Sequence, residues 1–555
     1  MEGEDFLPPT QVSGSSQYFS QAIPRASGAA VQPPRVEVAE PSASIRAPTS
    51  LHLPGVWSGF DPPMASQAFV PLGTPAEIAP PPPAAQCRVE SGAVGRTGGQ
   101  SDRLLISNVY PPTYQTIFSS KFTAFNKLQS ECFASVAHSD ENIVISAPTG
   151  SGKTCIFEMA IIRLLQSQRN VSPNLGTTKN FDKTKKIVYI APSKALCDER
   201  LSDWDNKFAR LGLKVGRVTG DTMVRESLRV IAASHVILTT PEKWDSITRK
   251  WTNNLYLLGS VSLLMIDEVH LIGDKNRGAT LEAVVTRMKT VRRTIEERAA
   301  STATANKKIL SASTMRMIAV SATLPNVSDI GAFMCAPPSC TFCFDHSYRP
   351  VPLAIHVKSC GSCRNEYFFD KSLNEYVPKY IATYSEGKPS LVFCHSKKDT
   401  EVLSRALGAS GRHVDSPQKR TALLQGASNA SDETLKQCIQ KGTAFHHAGL
   451  AQSDRHLVEA LFLSGKLAVV CATSTLAMGV NLPAHLVVIK GTRAWRGGGT
   501  GHQDVDIGVL TQMIGRAGRP GLDTTGVAVI MTDESRRTMV EKRMLGSEVV
   551  ESMLR

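Results

Sequence analysis

A chain of 555 residues has room for about three to four domains of ordinary size. Its opening, "MEGEDFLPP", lacks the basic-then-apolar run of a secretory signal, and no stretch of about 18 apolar residues occurs, so no membrane span is expected. The formal charge of +13 and a pI near 9.2 suit a polyanionic partner held by contacts that weaken as salt rises.

In chain order, residues 1–104 come first as a Pro/Ser/Gly-rich stretch that holds 16 of the 32 prolines and few apolar runs. Such a segment cannot offset its ordering entropy by burial, and a disordered tail is expected. The first 103 residues set 6 arginines against 9 acids, so the remainder carries +16 and the positive charge belongs to the folded part. From about Asn142, strand-like runs alternate with helical stretches: "NIVIS", "KIVYIA", "HVILTT", "SLLMIDE" and "RMIAVSAT". Near-continuous apolar strands indicate parallel sheets covered on both faces, hence an α/β fold. The series pauses at "YRPVPL" and restarts with "SLVFCHS", "AVVCATS", "HLVVIKG" and "GVAVIMTD". Two parallel-sheet domains in tandem are expected, over 105–347 and 348–535, followed by a helical segment at 536–555. Polar stretches near 170–186, 298–311 and 408–432 read as surface insertions.

Twelve cysteines without a secretion signal read as reduced thiols. Cys340, Cys343, Cys360 and Cys363 have zinc-ribbon spacing. The segment joining them reads instead as two strands flanking a proline-bearing link, and on a strand Cys340 and Cys343 face opposite ways. Zinc is therefore not assigned.

Three segments carry chemistry. "SAPTGSGKTCIFEMA" follows the strand "NIVIS" and precedes a helical stripe of Phe157, Ala160, Ile161, Leu164 and Leu165. That strand–loop–helix context is what a phosphate-binding loop requires. Backbone amides at Gly150, Gly152 and Lys153 would cradle phosphate, Lys153 would face the terminal phosphates, and the Thr154 hydroxyl would ligate Mg2+. Asp267 and Glu268 end the strand "SLLMI", the edge where ligands sit in open parallel sheets. Asp267 would hold Mg2+ through water and Glu268 would orient and deprotonate the attacking water, while His270 would relay to the neighbouring sheet. In "QMIGRAGRPG", Arg516 and Arg519 belong to the second sheet and would reach phosphates held by the first, making ATP the joint between the lobes.

The ordered set "FNKLQSECF", "APTGSGKT", "APSKAL", "TGD", "TTPEKWD", "DEVH", "SAT", "LVFCHS", "AFHHAGL", "ATSTLAMGVNLPA" and "QMIGRAGRPG" resembles superfamily-two DExH-box helicases over about residues 105–550. "YRPVPL" and "GVNLPAHLVVIKGT" are similar to the Ski-like branch. "TTPEKWDSITRKW" with "MIDEVHLIGDKNRGATLEAVVTRMKTV" most resembles the meiotic crossover-promoting DNA helicases. The resemblance implies two RecA-like domains and a nucleotide loop of Ala147, Pro148, Thr149, Gly150, Ser151, Gly152, Lys153 and Thr154, with alanine at Ala147 as in many helicases. It implies that Gln129 reads adenine, that Gln512 acts with the motif arginines, and that Gly479 and Asn481 couple nucleotide to strand. Ser321 and Thr323 would link the acids to the inter-lobe contact. Pro192, Ser193, Lys194, Thr240, Pro241 and Glu242 would line the strand-binding face of the first lobe. Ser396, His447, Ala448, Gly449, Thr473 and Thr475 would line that of the second, by sugar and phosphate contacts that carry no sequence information.

"RAWRGGGTGHQD" corresponds to a duplex-parting hairpin in relatives, with Trp495 as its wedge. Relatives continue into a winged helix, so the chain is expected to hold the two-lobe motor and only the start of that module, with weak or poorly processive unwinding. The implied activity is ATP- and Mg2+-dependent 3′-to-5′ movement on single-stranded or branched DNA in meiotic recombination, in the nucleus, by a monomer. Recombination proteins would bind the tail. An RNA helicase of the same branch and a regulatory form with little unwinding are the alternatives.

Overall fold

The computed structural model describes residues 103–118, 122–171, 182, 184–301, 315–363, 365–495, 501–545 and 549–554. The tail reading therefore lies outside the described residues except at its end, where the Leu104 amide donates to Ser130 Oγ at 3.1 Å. Most of the expected insertions near 170–186 and 298–311 also lie outside them.

The first lobe carries β1 (Ile143–Ser146), β2 (Lys186–Ile190), β3 (Val215–Val218), β4 (Val236–Thr239), β5 (Val261–Ile266), β6 (Arg316–Ser321) and β7 (Thr341–Cys343). They form one parallel sheet in the order β3-β4-β2-β5-β6-β1-β7. The second lobe carries β8 (Leu353–Ser359), β9 (Ser390–Cys394), β10 (Thr443–His446), β11 (Val469–Thr473) and β12 (Leu486–Ile489). An antiparallel hairpin of β13 (Arg493–Trp495) and β14 (His502–Asp504) follows, and then β15 (Gly526–Thr532). The second parallel sheet runs β10-β11-β9-β12-β15-β8.

Side-chain alternation explains why both sheets are buried on two faces. Ile143 and Ile145 enter one apolar cluster of the first lobe and Val144 the other. In the second lobe Leu391 and Phe393 face one way, and Val392 and Cys394 the other. The tandem parallel-sheet α/β fold is thus as expected. The 408–432 stretch is not a plain insertion, however. Ser416 caps the helix Pro417–Ala427, which buries Leu423 and Ala427 in the second core. Among the described residues at the close of the chain, Arg537–Leu545 is helical and residues 549–554 are not. Among the described residues no helix is long and apolar enough to cross a membrane.

Candidate nucleotide site and strand-binding faces

The loop from Ala147 turns between β1 and the helix Thr154–Val171. Gly150 and Gly152 have φ of +78° and +86°, a region in which a Cβ is strained. Ser151 Oγ donates to the Pro148 carbonyl at 2.7 Å, and the buried Lys153 ammonium donates to the carbonyls of Ala147 (2.7 Å) and Pro148 (3.2 Å). Burial lowers the Lys153 pKa, against the opposing pull of Glu268 and Asp267. Gln129 braces this loop. Its amide donates to the Gly152 carbonyl at 3.0 Å and accepts from the Asn126 amide at 3.0 Å, inside a capping box on the helix Lys127–His138. One N–H and one lone pair of that amide are thus used within the fold, which fixes its plane beside the loop.

Asp267 and Glu268 leave the carboxyl end of β5, two strands from β1. The Tyr189 hydroxyl donates to Asp267 Oδ2 at 2.5 Å. Burial, and then the Glu268 charge, push the Asp267 carboxyl up to about 6. Glu268 takes a left-handed backbone, φ 55° and ψ 52°, which costs a non-glycine residue roughly 1–2 kcal/mol. Its Oε2 is buried without a hydrogen-bond partner among the described residues, although His270 Nδ1 lies 3.2 Å away. His270 also meets Ser321 Oγ at 3.2 Å, and burial lowers its pKa. Thr323 follows, partly buried, beyond the end of β6. Two partly buried carboxylates, one with an unpartnered oxygen, are oxygen donors of the kind a hard divalent cation takes, and the Thr154 hydroxyl at the head of the helix after the loop would add a third.

The second lobe meets this cleft with its amino edge. The Ala484 amide donates to the Arg516 carbonyl at 3.0 Å, directly before β12. Arg516 donates to Asn481 Oδ1 at 3.3 Å and to the Ala477 carbonyl. Burial lowers its pKa, while Glu199 and Glu268 of the first lobe favour its charge and Arg200 opposes it. Arg519 is not poised in that way. Its guanidinium pairs twice with Asp523 of its own lobe, at 2.8 and 2.9 Å. Gln512 Oε1 is buried without a hydrogen-bond partner among the described residues. Gly479 closes the short helix Thr475–Gly479, which lies against the first lobe's helix Lys194–Ala209.

Strand-facing candidates cluster at the carboxyl ends of β2 and β4, on the other half of the first sheet. Ser193 Oγ caps its helix by accepting from the Leu196 amide at 3.2 Å, and Lys194 pairs with Asp221 at 2.5 Å. Thr240 and Pro241 open the helix Pro241–Thr248. Arg277, which the sequence pattern did not single out, ties Glu242 (2.6 Å) to the Pro192 carbonyl (2.5 Å), so Glu242 serves as an anchor for an arginine. In the second lobe Ser396 caps the helix Lys397–Ala409. His447 is buried, with Nε2 3.2 Å from Glu401 and Nδ1 accepting from the Gly449 amide at 3.1 Å, which leaves Ala448 and Gly449 exposed beside it. Thr473 and Thr475 hydroxyls lie 2.9 Å apart.

Trp495 is 65% exposed at the end of β13, with its ring edge-on to His502 at 5.2 Å. Residues 496–500, the expected tip, lie outside the described residues. The four spaced cysteines are not brought together: Cys340 is buried in the first lobe's core, and Cys360 in the second's, 3.5 Å from the Tyr380 hydroxyl.

A cleft shared between the carboxyl edge of one parallel sheet and the amino edge of the next defines the tandem RecA-like class. Residues 126–330 match the DEAD/DEAH box helicase family and residues 372–521 match the helicase conserved C-terminal domain. The chain thus carries a DEAD/DEAH box helicase domain followed by a helicase conserved C-terminal domain. It is 44% identical over 451 residues to the "Probable ATP-dependent DNA helicase HFM1" of Mus musculus, covering 80% of this chain and 30% of that protein. Against "ATP-dependent DNA helicase MER3" of Saccharomyces cerevisiae it is 39% identical over 456 residues, covering 81% and 35%. Against "Activating signal cointegrator 1 complex subunit 3" of Gallus gallus the identity is 36% over 451 residues, covering 80% and 19%. The chain thus spans about a third or less of the length of these relatives.

Proposed function

We propose that this chain is the motor of an ATP-dependent DNA helicase, moving 3′ to 5′ on single-stranded or branched DNA. The observation that carries the reading is that the second-lobe segment bearing Arg516 lies against the phosphate loop of the first: Arg349 donates to the Thr149 carbonyl at 3.2 Å and to the Gly515 carbonyl at 3.0 Å. Lys153 would hold the terminal phosphates, Glu268 would orient the attacking water and accept its proton, and Arg516 would meet charge developing on the transferred phosphoryl group. Thr154 and Asp267 would hold Mg2+, which when bound neutralises phosphate charge. Loops on both lobes would grip the strand by its backbone, and closure on ATP followed by reopening would step it. The likeness of the "TTPEKWD" and "DEVH" neighbourhoods to meiotic helicases supports a nuclear role in crossover formation, acting as a monomer.

The test is ATP turnover with and without single-stranded DNA, beside Lys153→Ala and Glu268→Gln. Both variants should lose on the order of 10²–10⁴ in rate, with Glu268→Gln still binding nucleotide. Rates equal to the unmodified chain's would overturn the enzyme reading. Stronger stimulation by RNA than by DNA of the same sequence would transfer the reading to RNA.

A further inference from the structure

We propose that Arg349 is a positioning residue of the ATPase cycle, a strut that holds the phosphate loop and the Gly515–Ala517 segment in one frame. The proposal rests on the motor reading above. Arg349 lies in the link between the lobes, and its guanidinium is buried. It donates to the Thr149 carbonyl of the first lobe at 3.2 Å, to the Gly515 carbonyl of the second at 3.0 Å, to the Ala517 carbonyl, and to the Val351 carbonyl at 2.9 Å. Thr149 O is one residue from Gly150, and Gly515 O is one residue from Arg516. A single side chain therefore spans the two segments that would face the phosphates.

The surroundings fit a joint. A Cβ placed on Gly515 would lie 2.0 Å from Thr149 Oγ1, so the two segments touch there and only glycine fits. The neighbouring Tyr348 is fixed to the helix that carries Gln129. Its hydroxyl lies 3.0 Å from both Glu131 oxygens, and the Lys127 ammonium lies 4.3 Å from its ring centroid. Among the described residues no carboxylate pairs with Arg349, and burial pulls its pKa down to about 10. A desolvated cation without a counter-charge is costly to keep in a fold unless its geometry is used. Here the planar fork is used, because its separate N–H groups bond carbonyls from both lobes at once. One ammonium cannot reproduce that spread of donors.

The experiment measures single-stranded-DNA-stimulated ATP turnover, binding of a fluorescent ATP analogue and thermal melting for the full chain, Arg349→Lys and Arg349→Gln. Both variants are expected to lose at least about tenfold in kcat, keep analogue affinity within about threefold, and melt within a few degrees of the unmodified chain. If Arg349→Lys restores the full kcat, charge alone suffices and the strut is overturned. A rise in KM at unchanged kcat, or a loss matching only the unfolded fraction, also overturns it. If Arg349→Gln does not fold, Arg349→Lys decides alone. An unmodified chain without stimulated turnover would instead sink the motor reading, and that result is read before any variant.

Discussion

Asp267 takes up its proton at about 6, against an ordinary 3.8, because burial and then Glu268 disfavour its charge. The folded state therefore holds this proton more tightly than the unfolded chain does. The ionised carboxylate weighs against folding above about pH 6, and that penalty fades as pH falls toward 4. Asp267→Asn should accordingly raise the melting temperature by a few degrees at about pH 7.5, with the gain falling to roughly a third of that near pH 4.5 in melts run across that range. A gain of the same size at both pH values would mean that ionisation is not its cause. The types of these residues were legible in sequence, since "DEVH" closes an apolar strand. Their partners were not. Tyr189 on Asp267, Arg277 on Glu242 and Asp523 on Arg519 lie 78, 35 and 4 residues away in the chain. Only folding decides that Arg519 pairs with Asp523 while Arg516 bonds Asn481 and the Ala477 carbonyl.

At the scale of elements, strands that are apolar throughout were readable, and β1, β2, β4, β5, β6, β9, β11, β12 and β15 fall on quoted runs. The strand β3 is "VGRV" and carries no such run. It pairs in parallel with β4 along its whole length, and Gly216 lets Ser234 come so close that a Cβ there would lie 2.2 Å from its hydroxyl. The helix Pro417–Ala427 was hidden among polar residues, since it buries only a narrow face. The hairpin is built where expected, and its base is tied down by Arg493 to Glu366 and by the Thr492 and Thr532 hydroxyls at 3.0 Å. With its base held and Trp495 exposed, the hairpin suits a wedge against the last base pair. Trp495→Ala should reduce strand separation severalfold in a fork-duplex assay while stimulated ATP turnover stays unchanged. Undiminished separation would remove the wedge.

Across the whole molecule, +16 on the residues after 103 predicts binding dominated by phosphate contacts. Affinity for a single strand should fall by orders of magnitude between about 50 and 200 mM salt, linearly on logarithmic axes, in an anisotropy titration. A flat response would place the basic charge away from the strand. Short apolar runs, the glycine loop and the order of motifs were set by the chain alone, because each depends on neighbours a few residues apart. The rule that ligands gather at the carboxyl edges of parallel sheets located the paired acids, while the loop was found by its strand–loop–helix context and the strand-facing candidates by the resemblance. It did not locate Arg516, which sits at the amino edge of the second sheet beside β12. Tertiary structure alone decided that edge, the joint through Arg349 and the pairing of Arg519, because each depends on segments that meet only when two sheets pack across a shared gap.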